Sequence, residues 1–105
     1  MNVIDISTVR IPSISHLQWA FLRFVQMGGA SAPATKVQRA MAMCGCPKGP
    51  AFYQLAKRLV KMGMVVAEHR IVAIEWAEFV RTEYLLTKEG DAALQNVKDF
   101  YGKLA

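Results

Sequence analysis

If the stretch from Pro50 to Met62 is helical, Gln54, Lys57, Arg58 and Lys61 share one side of it, with Tyr53 at the border. Cationic and hydrogen-bonding side chains gathered on one face can neutralise anions and exchange hydrogen bonds. The opposite side carries Phe52, Leu55, Ala56 and Leu59 at i, i+3, i+4 and i+7, one apolar stripe of about three turns. Pro50 suits the first turn, where a missing N–H is harmless, and Gly63 suits the left-handed residue that ends a helix. An ordinary solvated helix face has the same composition, so the surrounding charge has to decide between the two readings.

That charge is segregated. Between Asp5 and Glu68 there is no acidic residue, whereas the span contains Arg10, Arg23, Lys36, Arg39, Lys48, Lys57, Arg58 and Lys61. Residues 68–105 hold five basic and seven acidic residues. A generic surface mixes signs; a face of one sign attracts a polyanion, most simply nucleic acid.

Other candidate chemistry is thin. Cys44 and Cys46 stand one residue apart, too close for a comfortable disulfide and too few for a disulfide scaffold. A zinc site needs more ligands, and His16 and His69 stand at no motif spacing from the thiols, so no metal is expected. The pair suits a tight, partly buried turn better than a sensor of oxidant or metal. There is no Gly-rich phosphate loop, no paired His motif and no nucleophile–base set. An enzyme is not expected, and neither is a cofactor.

The elements that must position the basic helix follow from local signals. At 105 residues and 53% hydrophobic composition the chain is expected to form a single folded domain, 1–105. Val3, Ile4, Ile6, Val9 and Ile11 suggest an arm or strand over 1–14. Ser15 and Gln18 form a capping box opening a first helix to about Met27, with Ile14 and Trp19 as a hydrophobic staple. Leu17, Phe21, Phe24 and Val25 form its core stripe, and Trp19 and Leu22 lie on another side. After a loop over 29–33, Ser31 or Thr35 is expected to cap a second helix reaching about Met43, with Val37, Ala40 and Met41 inward and Lys36 and Arg39 outward. Residues 64–87 alternate as a hairpin with its tip near Glu75-Trp76-Ala77-Glu78, although no turn-forming residue marks that tip and a partly helical Ala67–Phe79 is the alternative. Thr87 then caps a last helix over 88–104.

Two motifs carry a family resemblance. Ala51-Phe52-Tyr53-Gln54-Leu55-Ala56-Lys57-Arg58-Leu59 followed by Lys61-Met62-Gly63-Met64-Val65 resembles the recognition helix and exit of PadR-like and MarR-like transcription regulators. Arg81-Thr82-Glu83-Tyr84-Leu85-Leu86-Thr87-Lys88-Glu89-Gly90 resembles their second wing strand and entry to the next helix. The resemblance spans roughly residues 16–95. It implies a mainly α fold with a small β-hairpin, a winged helix-turn-helix of three core helices, wing and C-terminal helix.

It also implies a function: duplex DNA binding by a transcription regulator. Helix 50–62 is then expected in the major groove, with Tyr53, Gln54 and Lys57 facing base edges. Lys36, Arg39, Lys48, Arg58 and Lys61 are expected at phosphates. A homodimer is expected through helix 88–104, with Trp19, Leu22, Val97, Phe100 and Leu104 at the interface. The wing departs from the pattern, because Glu68, Glu75, Glu78 and Glu83 outnumber Arg70 and Arg81. Its apolar tip of Ile74, Trp76 and Phe79 leaves a second reading open, a winged-helix module that binds protein. No run long enough to cross a membrane is present and the thiols suit a reducing compartment, so a cytoplasmic setting is expected. The residues do not identify an effector.

Overall fold

The computed structural model of the chain describes residues 14–46 and 49–104. Helix α1 (His16–Met27) begins at the expected capping box: Ser15 Oγ accepts from Gln18 N–H at 3.2 Å, and Gln18 Oε1 accepts from Ser15 N–H at 3.0 Å. Ile14 and Trp19, the expected staple, both pack partly buried against the core. The rest of the expected N-terminal arm lies outside the described residues, as does Lys48.

The segment after α1 is not the plain loop the composition suggested. Ala32–Pro33 forms a two-residue strand, β1, that pairs with Tyr84 and Glu83. A residue preceding proline is pushed into extended backbone, and proline, lacking an N–H, is tolerated at a sheet edge. Helix α2 (Ala34–Met43) therefore starts from Pro33 without a side-chain cap, and neither Ser31 nor Thr35 plays that role. The Ser31 hydroxyl donates instead to Glu83 Oε2 at 3.4 Å.

Helix α3 (Pro50–Lys61), strand β2 (Val65–Ile74), strand β3 (Ala77–Leu86) and helix α4 (Lys88–Leu104) follow. The strands form one antiparallel sheet in the order β1-β3-β2, registered from Val65 opposite Leu86 to Ile74 opposite Ala77. The hairpin tip falls where the alternation placed it, on Glu75-Trp76. The missing turn residue is explained by Glu75, which takes φ 56° in the left-handed region. That conformation costs an L-residue roughly 1–2 kcal/mol, offset by two ten-residue strands zipped over their full length. This architecture is a winged helix: three helices, a hairpin and a C-terminal helix.

The core gathers around Phe21, Phe52 and Tyr84. Their ring centroids lie 5.6 Å (Phe21–Phe52), 5.1 Å (Phe21–Tyr84) and 6.4 Å (Phe52–Tyr84) apart, tilted or edge-on to one another. Val25, Val37, Met41, Leu59 and Val65 fill in around them. Leu22 belongs here too: it is 0% exposed, enclosed between elements of its own chain, and has no surface to give a dimer. The second apolar side of α1 is thus buried at Leu22 and half-buried at Trp19.

One joint fixes the helices to the wing. Gly63, at φ 77°, turns the chain out of α3, and Met64 N–H donates back to the Leu59 carbonyl at 3.0 Å. Thr87 N–H donates to the Met64 carbonyl at 3.1 Å, and Thr87 Oγ1 donates to the Gly63 carbonyl at 2.6 Å. The same oxygen accepts from Gly90 N–H at 3.0 Å, capping α4. A Cβ on Gly90 would run into the Met64 carbonyl and the Leu86 side chain.

Gly90→Ala is expected to lose about 1–3 kcal/mol in urea unfolding, because backbone has to move. Thr87→Ala is expected to lose about 1 kcal/mol through its cap. An unchanged midpoint for Gly90→Ala would show that α4 does not sit this close. Burial first, and the neighbouring Tyr53 second, push the Tyr84 phenol above its ordinary value of 10.0. The unfolded chain then releases that proton before the folded one does. Stability from this group is complete below pH 10 and declines as pH climbs beyond it. Unfolding of Tyr84→Phe is expected to depend less steeply on pH above 10 than that of the parent.

Candidate nucleic-acid interface

The polar face of α3 is built by what the opposite face buries. Phe52, Ala56 and Leu59 are buried and Leu55 half-buried, so Tyr53, Gln54, Lys57, Arg58 and Lys61 stand in solvent. Tyr53, at the border, meets Phe52 edge-on with centroids 5.4 Å apart and remains 57% exposed. The three residues expected at base edges are thus all accessible on one helix.

Among the residues expected at phosphates, Lys36 and Arg39 are exposed on α2, while Arg58 and Lys61 are exposed on the last turn of α3. None of these four, nor Lys57, forms an ion pair with another described residue; the ion pairs are all on the wing. The start of α3 has Gly49 at its cap, with no side-chain hydrogen bond and no acidic residue in the first turn. No described side chain caps its leading amides.

The turn between α2 and α3 explains the cysteine pair. Cys44 caps α2, Gly45 takes φ 89°, and Cys46 N–H returns to the Met41 carbonyl at 3.0 Å while Gly45 N–H reaches the Ala42 carbonyl at 3.2 Å. This is a Schellman stop, in which the residue after the left-handed one turns back onto the helix. Cys46 is accordingly buried with Met41, and Cys44 faces outward. The described residues include no group of three or more His, Cys, Asp or Glu side chains able to hold a metal.

The wing's charge is distributed in a way its count did not reveal. Glu83 is 8% exposed, and its carboxylate lies 3.1 Å from Arg70 Nε and 3.8 Å from Arg81 Nε. Arg70 also reaches Glu68 at 3.6 Å. These four side chains neutralise one another midway along the hairpin. Glu75 and Glu78 remain at the tip beside Ile74, Trp76 and Phe79, which are exposed.

The residues expected at a dimer interface separate. Trp19 and Phe100 are half-buried and Val97 nearly buried, and together with Ile14, Ser15, His16 and Tyr101 they line a groove of about 430 Å³ between α1 and α4. His16 stacks on Trp19 with centroids 6.1 Å apart. Leu22 is beneath, in the core. Leu104 closes α4. No described helix is long and apolar enough to cross a membrane.

No family model and no curated protein matches the chain. Solved structures do. BpsR of Bordetella bronchiseptica, whose DNA binding is regulated by 6-hydroxynicotinic acid, superposes with a TM-score of 0.66 at 16% identity, over 92% of this chain and 62% of its own. NadR in complex with 4-hydroxyphenylacetate gives 0.66 at 20% identity, over 85% and 56%. A PadR-like transcription factor from Bacteroides fragilis gives 0.61 at 17% identity, over 84% and 82%. The chain thus spans about three-fifths of the first two proteins and most of the third. At these identities the likeness is one of fold: the chain resembles MarR-type and PadR-like regulators in its winged helix.

Proposed function

We propose that the protein is a transcription regulator of the cytoplasm that binds duplex DNA through α3 as a homodimer. The observation that carries this reading is the exposed face of α3, whose cations have no acidic partner among the described residues. In the major groove, Gln54 suits adenine and Lys57 suits guanine, with Tyr53 alongside. Lys36, Arg39, Lys48, Arg58 and Lys61 neutralise phosphates and set register without specifying sequence. The uncapped amides at the start of α3 add a phosphate site. The named neighbours support the reading: BpsR has regulated DNA binding, and the Bacteroides protein is a transcription factor.

The groove between α1 and α4 supports the dimer. Trp19, Val97 and Phe100 line it and Tyr101 stands 64% exposed at its edge, apolar surface that a two-fold partner would cover. The alternative, a module that binds protein rather than DNA, draws on the apolar wing tip and α1.

Fluorescence anisotropy with mixed-sequence duplex is expected to give binding that weakens steeply with salt. With roughly four to six phosphates neutralised per protomer, log K falls against log salt by about 0.9 for each. Absence of binding at low salt would overturn the DNA reading. On a site selected from random duplexes, Gln54→Ala and Lys57→Ala are expected to lose about 1–3 kcal/mol, and little on random DNA. Arg58→Ala and Lys61→Ala should weaken both alike and flatten the salt slope. If Gln54 and Lys57 changes leave discrimination intact, α3 is not the reading element. Leu59→Ala, by contrast, should soften the fold by about 2–5 kcal/mol with no DNA-specific effect.

Light scattering is expected to report about twice the chain mass of 11.7 kDa. Phe100→Asp should return it to the monomer; a parent chain already monomeric at tens of micromolar would reject the α1–α4 interface.

A further inference from the structure

Among the described residues, strand β2 has a neighbour on one side only. In the sheet order β1-β3-β2 its outer edge carries no strand among the described residues. The edge is ten residues long, from Val65 to Ile74, rich in β-branched residues and free of proline and glycine. Ile71 and Val80 stand opposite each other, 72% and 73% exposed, and Ile74 and Phe79 are exposed on the other face. A long apolar edge of this kind is a template for another strand.

The backbone defines which residues offer that template. Ile74 and Ala77 flank a two-residue loop, so they form a hydrogen-bonded pair. Even-numbered residues of β2 therefore direct N–H and C=O at β3. Val65, Ala67, His69, Ile71 and Ala73 direct theirs outward.

We propose that β2 pairs with β2 of a second copy of this chain, antiparallel about a two-fold axis at His69. The partner is set by charge complementarity. In this register Glu68 lies opposite the partner's Arg70, and Arg70 opposite the partner's Glu68. Val66 meets the partner's Val72, and Ala67 meets the partner's Ile71. Moving the axis by one residue either way sets Glu68 against Glu68 or Arg70 against Arg70, and like charges directly opposite destabilise a sheet. Glu68 and Arg70 keep 44% and 60% of their side-chain surface exposed, so each has room for a second contact. The same course carries the partner's apolar tip toward Met62 and Val60, which are exposed at the exit of α3. The pairing uses neither the α1–α4 groove nor the polar face of α3. It stands independently of the DNA reading; as the weaker of the two contacts, it links α1–α4 dimers into larger assemblies only above the tens of micromolar at which light scattering reads the dimer.

Cross-linking tests the register. In the full chain with Cys44→Ser, His69→Cys places two thiols on the axis, with Cα atoms about 5.5 Å apart, within disulfide reach. Under mild oxidant it is expected to form covalent dimers at least about tenfold faster than Ile71→Cys, whose counterpart is Ala67 rather than itself. Mixed chains of Val66→Cys and Val72→Cys are expected to link to each other and not to themselves, which tests the same axis without touching His69. Adding Glu68→Lys to His69→Cys sets two cations face to face at both ends of the pair and should slow linking about tenfold. Equal rates for His69→Cys and Ile71→Cys, or no preference in the mixture, would overturn the proposal, whatever anisotropy reports about DNA.

Discussion

The contact on which the rest depends is the meeting of Phe21, Phe52 and Tyr84. One ring comes from α1, one from α3 and one from β3, so three elements far apart in sequence are held at a single point. Rings tilted or edge-on at these separations gain from their quadrupoles beyond the area they bury. α3 depends on this most. Its fully buried side chains are Phe52, Ala56 and Leu59, a narrow seam for a helix whose other side is solvated. Phe52 is the largest of the three and sits one residue before Tyr53, so the aromatic cluster also sets the rotation of the polar face.

The exit from α3 turns that orientation into a relation between helix and wing. Two residues separate Met62, which caps the helix, from Val65, which begins the strand, and one of them is Gly63 in a left-handed conformation. A joint this short has little freedom of its own. Thr87 removes what is left by bonding to both Gly63 and Met64 with its hydroxyl and amide while it caps α4. Gly90 lets α4 approach close enough for these bonds to form. A tyrosine, a threonine and a glycine at this spacing are therefore one device: Tyr84 anchors the strand in the core, Thr87 clamps the helix exit, and Gly90 makes room.

Local signals of this kind were legible in the sequence because few residues decide them. The capping box at Ser15, the stop at Gly63 and the cap at Thr87 each act within a few positions. The hairpin was legible from alternation even though Glu75 is an unlikely turn residue, because ten cross-strand pairs outweigh one strained dihedral. Strand β1 was missed since two residues have no period; its trace was the extended bias that Pro33 imposes on Ala32. Leu22 was misassigned for a tertiary reason. A helix with two apolar sides needs two partners, and periodicity cannot say which residues of the second side its own chain encloses. The exposure of the α3 face followed from the same wheel that located its core, whereas the Schellman geometry that separates Cys44 from Cys46 required the backbone.

Counting charges misjudged the wing, and the reason is physical. Arg70 and Arg81 stand directly opposite each other across the strands, an arrangement that repels unless something lies between them. Glu83 does, nearly buried and touching both, with the Ser31 hydroxyl as a further donor. Two glutamates are thereby spent on holding two arginines, and the middle of the wing is close to neutral. The unbalanced negative charge is at the tip, in Glu75 and Glu78, among exposed Ile74, Trp76 and Phe79. A phosphate backbone is repelled by that tip and gains nothing from its apolar surface, whereas a protein surface gains from both. The hairpin from its middle to α3 tolerates a polyanion nearby. The one hairpin thus has two chemistries along its length, and the distance its ten-residue strands cover is what keeps them apart.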